Sequence, residues 1–204
     1  MQSTMARFNR KSAPRVKAGR VQKQNNWKLT PTYYNSEQHL PVIDRKRPGA
    51  GYRHLLRKKD LVNFIGILPD WNELSRGLNG IVLTHGEEEA FGYHIPGTVH
   101  ICAWDRELWI TVTKAFFEKH RDFLDRLGVL CESDEDDGYV CEFNENTARA
   151  HQLLGTFLHE LGHHHDRMTT KSKVKASRGE PYADAYARKY EAQVWTRYQE
   201  VFEL

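Results

Sequence analysis

NTARAHQLLGTFLHELGHHHD, residues 146–166, runs without proline and gathers His159, His163, His164 and His165 within one short stretch of a chain that has 11 histidines. Asn144 or Asn146 can cap its start, and Ala150, Leu153, Leu154, Phe157 and Leu161 share one face, so the spacing predicts an amphipathic helix. At about 100° per residue, that apolar stripe is centred opposite His159, and His163 lies about 40° from His159. Two imidazoles one turn apart therefore converge on the face away from the helix's own apolar stripe. His164 and His165 fall toward the apolar side and are expected to pack or to meet solvent. Gly155 and Gly162 lie on the face of His159 and His163, where each costs a helix roughly 1 kcal/mol relative to alanine. They are expected to let another helix or a substrate backbone come close.

His159-Glu160-x-x-His163 is the spacing that metal chemistry uses: two neutral nitrogens one turn apart, with a glutamate between them placed to act as a base without ligating. A catalytic zinc needs a third protein ligand. Asp166 lies on the same face but one turn further along a straight helix, where three ligands diverge. The better source is EPYADAYA, residues 180–187. Ser177 and Glu180 have the spacing of a capping box, Pro181 is tolerated in a first turn, and Ala183, Ala187, Tyr190, Val194, Tyr198 and Val201 make a helical stripe. Glu180 and Asp184 then share a face. With Glu180 as ligand, Asp184 can accept the N–H of a ligating imidazole and fix its tautomer. The alternative is that Glu180 only caps its helix and Asp184 faces water.

HELGH followed by E-x-x-A-D-x-aromatic-A resembles the gluzincin zinc metallopeptidases, especially the ImmA-like branch and the membrane-spanning branch. The resemblance covers roughly the last 60 residues. It implies Zn2+ held by His159, His163 and Glu180, Glu160 as the general base, and Asp184 supporting a ligand from behind. The implied fold is a minimal zincin-like domain of the α+β class, with a small sheet, the histidine-bearing helix and a C-terminal glutamate helix. The implied activity is hydrolysis of peptide bonds in a protein or peptide substrate. Residues 164–179, between His163 and Glu180, make a short interval for that family, and the membrane spans of the one branch are missing. His94, Arg178, Tyr182 and Tyr186 are all candidates for the donor that stabilises the oxyanion.

Upstream, Leu55, Leu56, Leu61, Val62, Phe64 and Ile65 suggest a short helix or two before Pro69, and Gly80–His85 reads as a strand. FGYHIPGTVHICAW, residues 91–104, is a hairpin signal about Pro96-Gly97, which leads to a sheet of about three or four strands. The apolar spacing of Phe116, Phe117, Phe123, Leu124 and Leu127 predicts a helix capped by Thr111 or Thr113 and stopped by Gly128. Residues 132–138 read as an acidic loop and 139–143 as a short strand.

Charge divides the chain. Residues 1–59 carry 15 of the 30 lysines and arginines against Glu37 and Asp44, a net of +13, which leaves the remainder at −10. The first 36 residues contain no acid and few apolar groups, so residues 1–50 are expected to form a disordered basic tail and 51–204 the folded domain. The tail can solubilise, can draw nucleic acid through its phosphates, or can be an Arg-rich mitochondrial transit peptide. A non-enzymatic protein that binds nucleic acid or a partner through this tail is the functional alternative. Cys102, Cys131 and Cys141 are odd in number and lack CxxC spacing, so they are expected to be reduced thiols in an intracellular, cytoplasmic protein. No apolar run reaches the 18 or so residues that span a bilayer, so no membrane insertion is expected.

Overall fold

The structure is a computed structural model that describes residues 31–204, apart from 89, 135–137, 172–177 and 204, together with the backbone of residues 15–17 and 20–22. The chain divides into two units, residues 1–31 and 32–204. In the first, β1 (Arg15–Lys17) and β2 (Arg20–Gln22) pair antiparallel. The other residues of the expected basic tail up to Thr30 lie outside the described residues.

The second unit begins well before residue 51, so the expected boundary is corrected. β3 (Val42–Arg45) pairs in parallel with β5 (Gly80–Thr84), matching Ile43 to Ile81. A parallel partner is supplied by a distant segment, and nothing within residues 40–50 announces it. Between them lie β4 (Tyr52–Arg53), α1 (Lys58–Ile67) and the single turn α2 (Trp71–Leu74). Asp60 closes the start of α1 by accepting from the Arg57 backbone N–H at 2.7 Å. Leu55 and Leu56 precede that helix instead of joining it.

β6 (Gly92–Ile95) and β7 (Thr98–Cys102) form the expected hairpin, turning at Gly97, whose φ of +83° glycine adopts without strain. With β3 and β5 they make a four-stranded sheet in the order β3-β5-β7-β6, with β6 at its edge. β8 (Trp104–Asp105) pairs with β4. β9 (Trp109–Thr113), β10 (Leu130–Ser133) and β11 (Gly138–Glu142) form a second sheet in the order β10-β11-β9. Thr111 lies within β9, so the cap of α3 (Lys114–Leu127) is Thr113, whose hydroxyl accepts from the N–H of Phe116. Gly128 ends α3 at φ +74°.

Cys131 and Cys141 face one another in the β10–β11 register and are joined as a disulfide, while Cys102 is a buried free thiol. The expectation of three reduced cysteines is thus corrected. Strand register brought the pair together, which sequence spacing does not reveal, and cysteine usage no longer argues for a reducing compartment.

The histidine-bearing helix starts at α4 (Glu145–Ala150), where the Asn144 side chain accepts from the N–H groups of Asn146 and Thr147. It widens into a π-helical stretch over His151–Phe157 and continues as α5 (Leu158–Thr169). α6 (Gly179–Phe202) follows and packs along α5. The core is built where this long element meets α1, α6 and the four-stranded sheet: Phe64, Ile81, Ile101, Leu153, Phe157 and Tyr198 are all 1% exposed or less. The fold is α+β, and among the described residues no helix is long and apolar enough to cross a membrane.

Candidate metal centre

α5 presents His159 and His163 one turn apart, as their spacing requires, with their Nε2 atoms 3.1 Å from each other. Glu180, in the first turn of α6, places Oε2 3.1 Å from His159 Nε2 and Oε1 3.2 Å from His163 Nε2. These three make up the group able to hold a metal ion among the described residues. Behind them, Asp184 Oδ1 lies 3.1 Å from His159 Nδ1. An imidazole that gives its Nδ1–H to Asp184 keeps a bare lone pair on Nε2. Burial, and then the neighbouring His163, lower the pKa of His159 against the pull of Glu180 and Asp184, which favours that neutral ring.

The donor set fits zinc. Two imidazole nitrogens and a carboxylate oxygen are donors that zinc takes, and one such atom from each of the three residues lies within 4.8 Å of the others. Two lone pairs and a carboxylate pointed at one centre repel one another, and a cation between them converts the repulsion to coordination.

Gly162 makes the approach of α6 possible. A Cβ at this position would meet the Cα of Ala183 at 2.8 Å and its carbonyl oxygen at 3.1 Å. The start of α6 is tied down by Asp166, which is wholly buried and accepts from the Arg178 N–H at 2.8 Å, from Arg178 Nε at 2.7 Å and from the Gly179 N–H at 3.1 Å. Asp166 is therefore not a ligand; it anchors the helix that brings one. Arg178 occupies the N-cap position of α6, and the expected cap Ser177 lies outside the described residues.

Glu160 is 6% exposed, and burial, then the nearby Glu180, push its pKa up to about 8. Glycine at 92 in β6 gives it room: a Cβ there would lie 3.3 Å from Glu160 Cγ and 2.5 Å from Thr156 Cγ2. Glu160, the three ligand candidates and Asp184 line one cavity of about 1060 Å3, bounded by β6, α3, the π-helical turn and α6. Of the four oxyanion candidates only His94 lines it. Arg178 is engaged by Asp166, the Tyr182 hydroxyl lies 2.6 Å from His165 Nδ1, and the Tyr186 hydroxyl is buried.

His164 is fully buried with Nε2 3.0 Å from the carbonyl oxygen of Arg76, and His165 meets Tyr182, so both turn away from the metal candidates as their facing predicts. One participant had no signal in the sequence. Lys119 of α3 reaches Asp184 Oδ2 at 2.7 Å. Burial works against ionisation of Asp184, but this hydrogen bond and the Lys119 charge outweigh it and lower its pKa. No family model, curated protein or solved structure matches the chain.

Proposed function

We propose that the chain is a zinc-dependent metallopeptidase with a minimal zincin-like domain of the gluzincin type. The observation that carries this reading is the triangle of His159 Nε2, His163 Nε2 and the Glu180 carboxylate, set in an open cavity with Glu160 in its wall. When bound, zinc would supply a Lewis acid and an acidified water. The residues do the rest. Asp184 holds His159 in its ligating tautomer. Glu160 takes the proton of the attacking water and passes it to the leaving amine. Its buried carboxyl favours the acid form when the site lacks positive charge, and a neighbouring dication would draw it toward the carboxylate that a base requires. His94, on the edge strand, lines the same cavity, its ring kept neutral by burial.

The test is zinc content after purification, paired with cleavage of an unstructured protein. Wild type should hold about one zinc per chain and Glu180→Ala markedly less. Glu160→Gln should keep the metal and lose roughly two to four orders of magnitude in rate. A wild type that binds no zinc, or a Glu160→Gln protein that cleaves as fast as wild type, would overturn the proposal.

A further inference from the structure

We infer that the outer face of the four-stranded sheet, at its β3 end, binds single-stranded nucleic acid, with Tyr34 stacking on a base and a cluster of arginines and lysines holding the phosphates. The inference goes beyond the peptidase reading and does not depend on it. Residues 45–59 contain seven lysines and arginines and no aspartate or glutamate, in a chain whose residues 60–204 are net −10. A polyanion is therefore repelled by the later part of the chain and drawn to this one stretch.

The fold gathers these charges instead of spreading them. After β3 the chain loops out and returns, and His54 Nε2 donates to the Lys46 carbonyl oxygen at 2.8 Å, which lays the segment before α1 against residues 45–47. Burial lowers the pKa of His54, and the nearby Arg45 charge adds to this. α1 itself packs beside β3. Lys46 is bound to Asp44 at 2.6 Å and Arg53 to Glu145 at 2.8 Å, but the exposed Arg45, Arg47, Lys58 and Lys59 have no carboxylate partner among the described residues. Lys58 and Lys59 open α1, whose last turn has no basic residue. That is the reverse of what the helix dipole favours, so the two lysines cost α1 stability that an anion seated beside them would restore.

Beside these cations stands a column of rings. Val99 and Ile101 of β7 point into the core, so His100 between them points to the other face of the sheet. There it pairs in register with Tyr93 of β6, their centroids 4.4 Å apart and their planes at 14°. Burial pushes the His100 pKa down to about 4, so its ring stacks uncharged. Tyr34 lies over His100 at 6.0 Å and 21° and is 47% exposed, so the column ends at the surface. Tyr33 ties that end to the cations. Its centroid is 4.4 Å from that of Tyr34, its hydroxyl donates to Asp44 Oδ2 at 2.5 Å, and Lys46 Nζ is 5.7 Å from its ring. An exposed ring fixed next to unpaired cations is what sequence-tolerant single-strand binding uses, because every base has a π-face and every linkage a phosphate. A duplex hides its base faces, and a membrane calls for apolar side chains free to insert, which a ring laid flat on the sheet is not.

The experiment uses the full chain throughout, so that residues 1–31 contribute equally to every arm. A fluorescein-labelled DNA strand of about 12 nucleotides and mixed sequence is titrated by anisotropy at several salt concentrations, beside the same sequence as RNA, the DNA duplex, and vesicles of phosphatidylserine and phosphatidylcholine. Tyr34→Ala should weaken single-strand binding roughly fivefold to a hundredfold with its salt dependence unchanged, and Tyr34→Phe, which keeps the stacking face, should bind like wild type. Arg45→Ala, Arg47→Ala, Lys58→Ala and Lys59→Ala combined should lower the slope of log affinity against log salt by roughly 2–3, at about 0.7 per lost phosphate contact. That fourfold variant should be no less stable than wild type in urea, because losing the two lysines relieves α1. It carries the test alone should Tyr34→Ala misfold. Tight binding of either the DNA or the RNA strand supports the surface, and the tighter of the two names the nucleic acid. Wild-type affinity in Tyr34→Ala, or an unchanged salt slope in the fourfold variant, overturns the surface. Duplex bound as tightly as the single strand overturns the stacking, and vesicles bound in place of the strands overturn the choice of partner.

Discussion

Gly162→Ala is the smallest change expected to disturb the candidate metal centre without touching a ligand. The added Cβ would lie 2.8 Å from Ala183 Cα, 3.1 Å from Ala183 O and 3.1 Å from Tyr186 Cβ. Two of these are backbone atoms, so no side chain can swing aside, and α6 must retreat by roughly 0.7–1.2 Å to recover ordinary carbon contacts of about 3.5–4 Å. Glu180 lies three residues before Ala183 and moves with it, off the two Nε2 atoms it now approaches to 3.1 and 3.2 Å. A shift of that size is about half the length of a zinc–ligand bond. Zinc affinity should therefore fall by about tenfold or more, which competition against a chromophoric chelator measures directly. Stability should change far less. Overpacking costs about 1–3 kcal/mol, and alanine recovers about 1 kcal/mol over glycine in a helix interior, leaving a net loss of about 0–2 kcal/mol by urea denaturation. A variant that gains stability and binds zinc like wild type would show that the α5–α6 contact does not set the position of Glu180.

His159→Ala and His163→Ala should each abolish zinc binding. His164→Ala should retain it while losing on the order of 2 kcal/mol of stability from a fully buried site, as metal analysis and denaturation will show. Asp166→Asn should cost about 2–3 kcal/mol by weakening the bonds to Arg178 and Gly179. Burial alone would raise the pKa of Asp166, yet those bonds and the Arg178 charge lower it, so its contribution is present above about pH 4 and lost below, and the Asn variant should lack that acid limb. His151, pushed by burial down to about 3, stays neutral in the folded chain while the unfolded chain takes up a proton below about pH 6.5. Stability should thus fall by up to about 1.4 kcal/mol per pH unit between about 6.5 and 3, and His151→Phe should flatten that slope in urea titrations at successive pH values.

Where the site was legible, it was because the signal is local. The i, i+4 spacing of His159 and His163, the Asn144 cap, the Pro96-Gly97 turn and the stripe of α6 each need only a few neighbouring residues to be read. The same locality explains why His164 could be turned away from the metal-ligand candidates on facing alone. What escaped depends on distant partners. β3 is four residues long and shows itself only beside β5; the Cys131–Cys141 pair depends on strand register; Lys119 meets Asp184 from another helix. Asp166 was rightly set aside as a ligand, but its anchoring role needed the approach of α6 to become visible. The π-helical turn had no advance sign beyond Gly155, since a uniform 100° per residue cannot register one extra residue. The buried face is accordingly wider than the predicted stripe and takes in Leu158, His164 and Asp166.

The Asp166 anchor bears on how this architecture can vary. Because a side chain on the histidine-bearing helix grips the first turn of the next, the position of Glu180 is fixed by a bond across the helices and not by the path that joins them. Losing that grip should therefore release the first turn of α6 and lower metal affinity together with stability, even though Asp166 itself touches none of the ligand candidates.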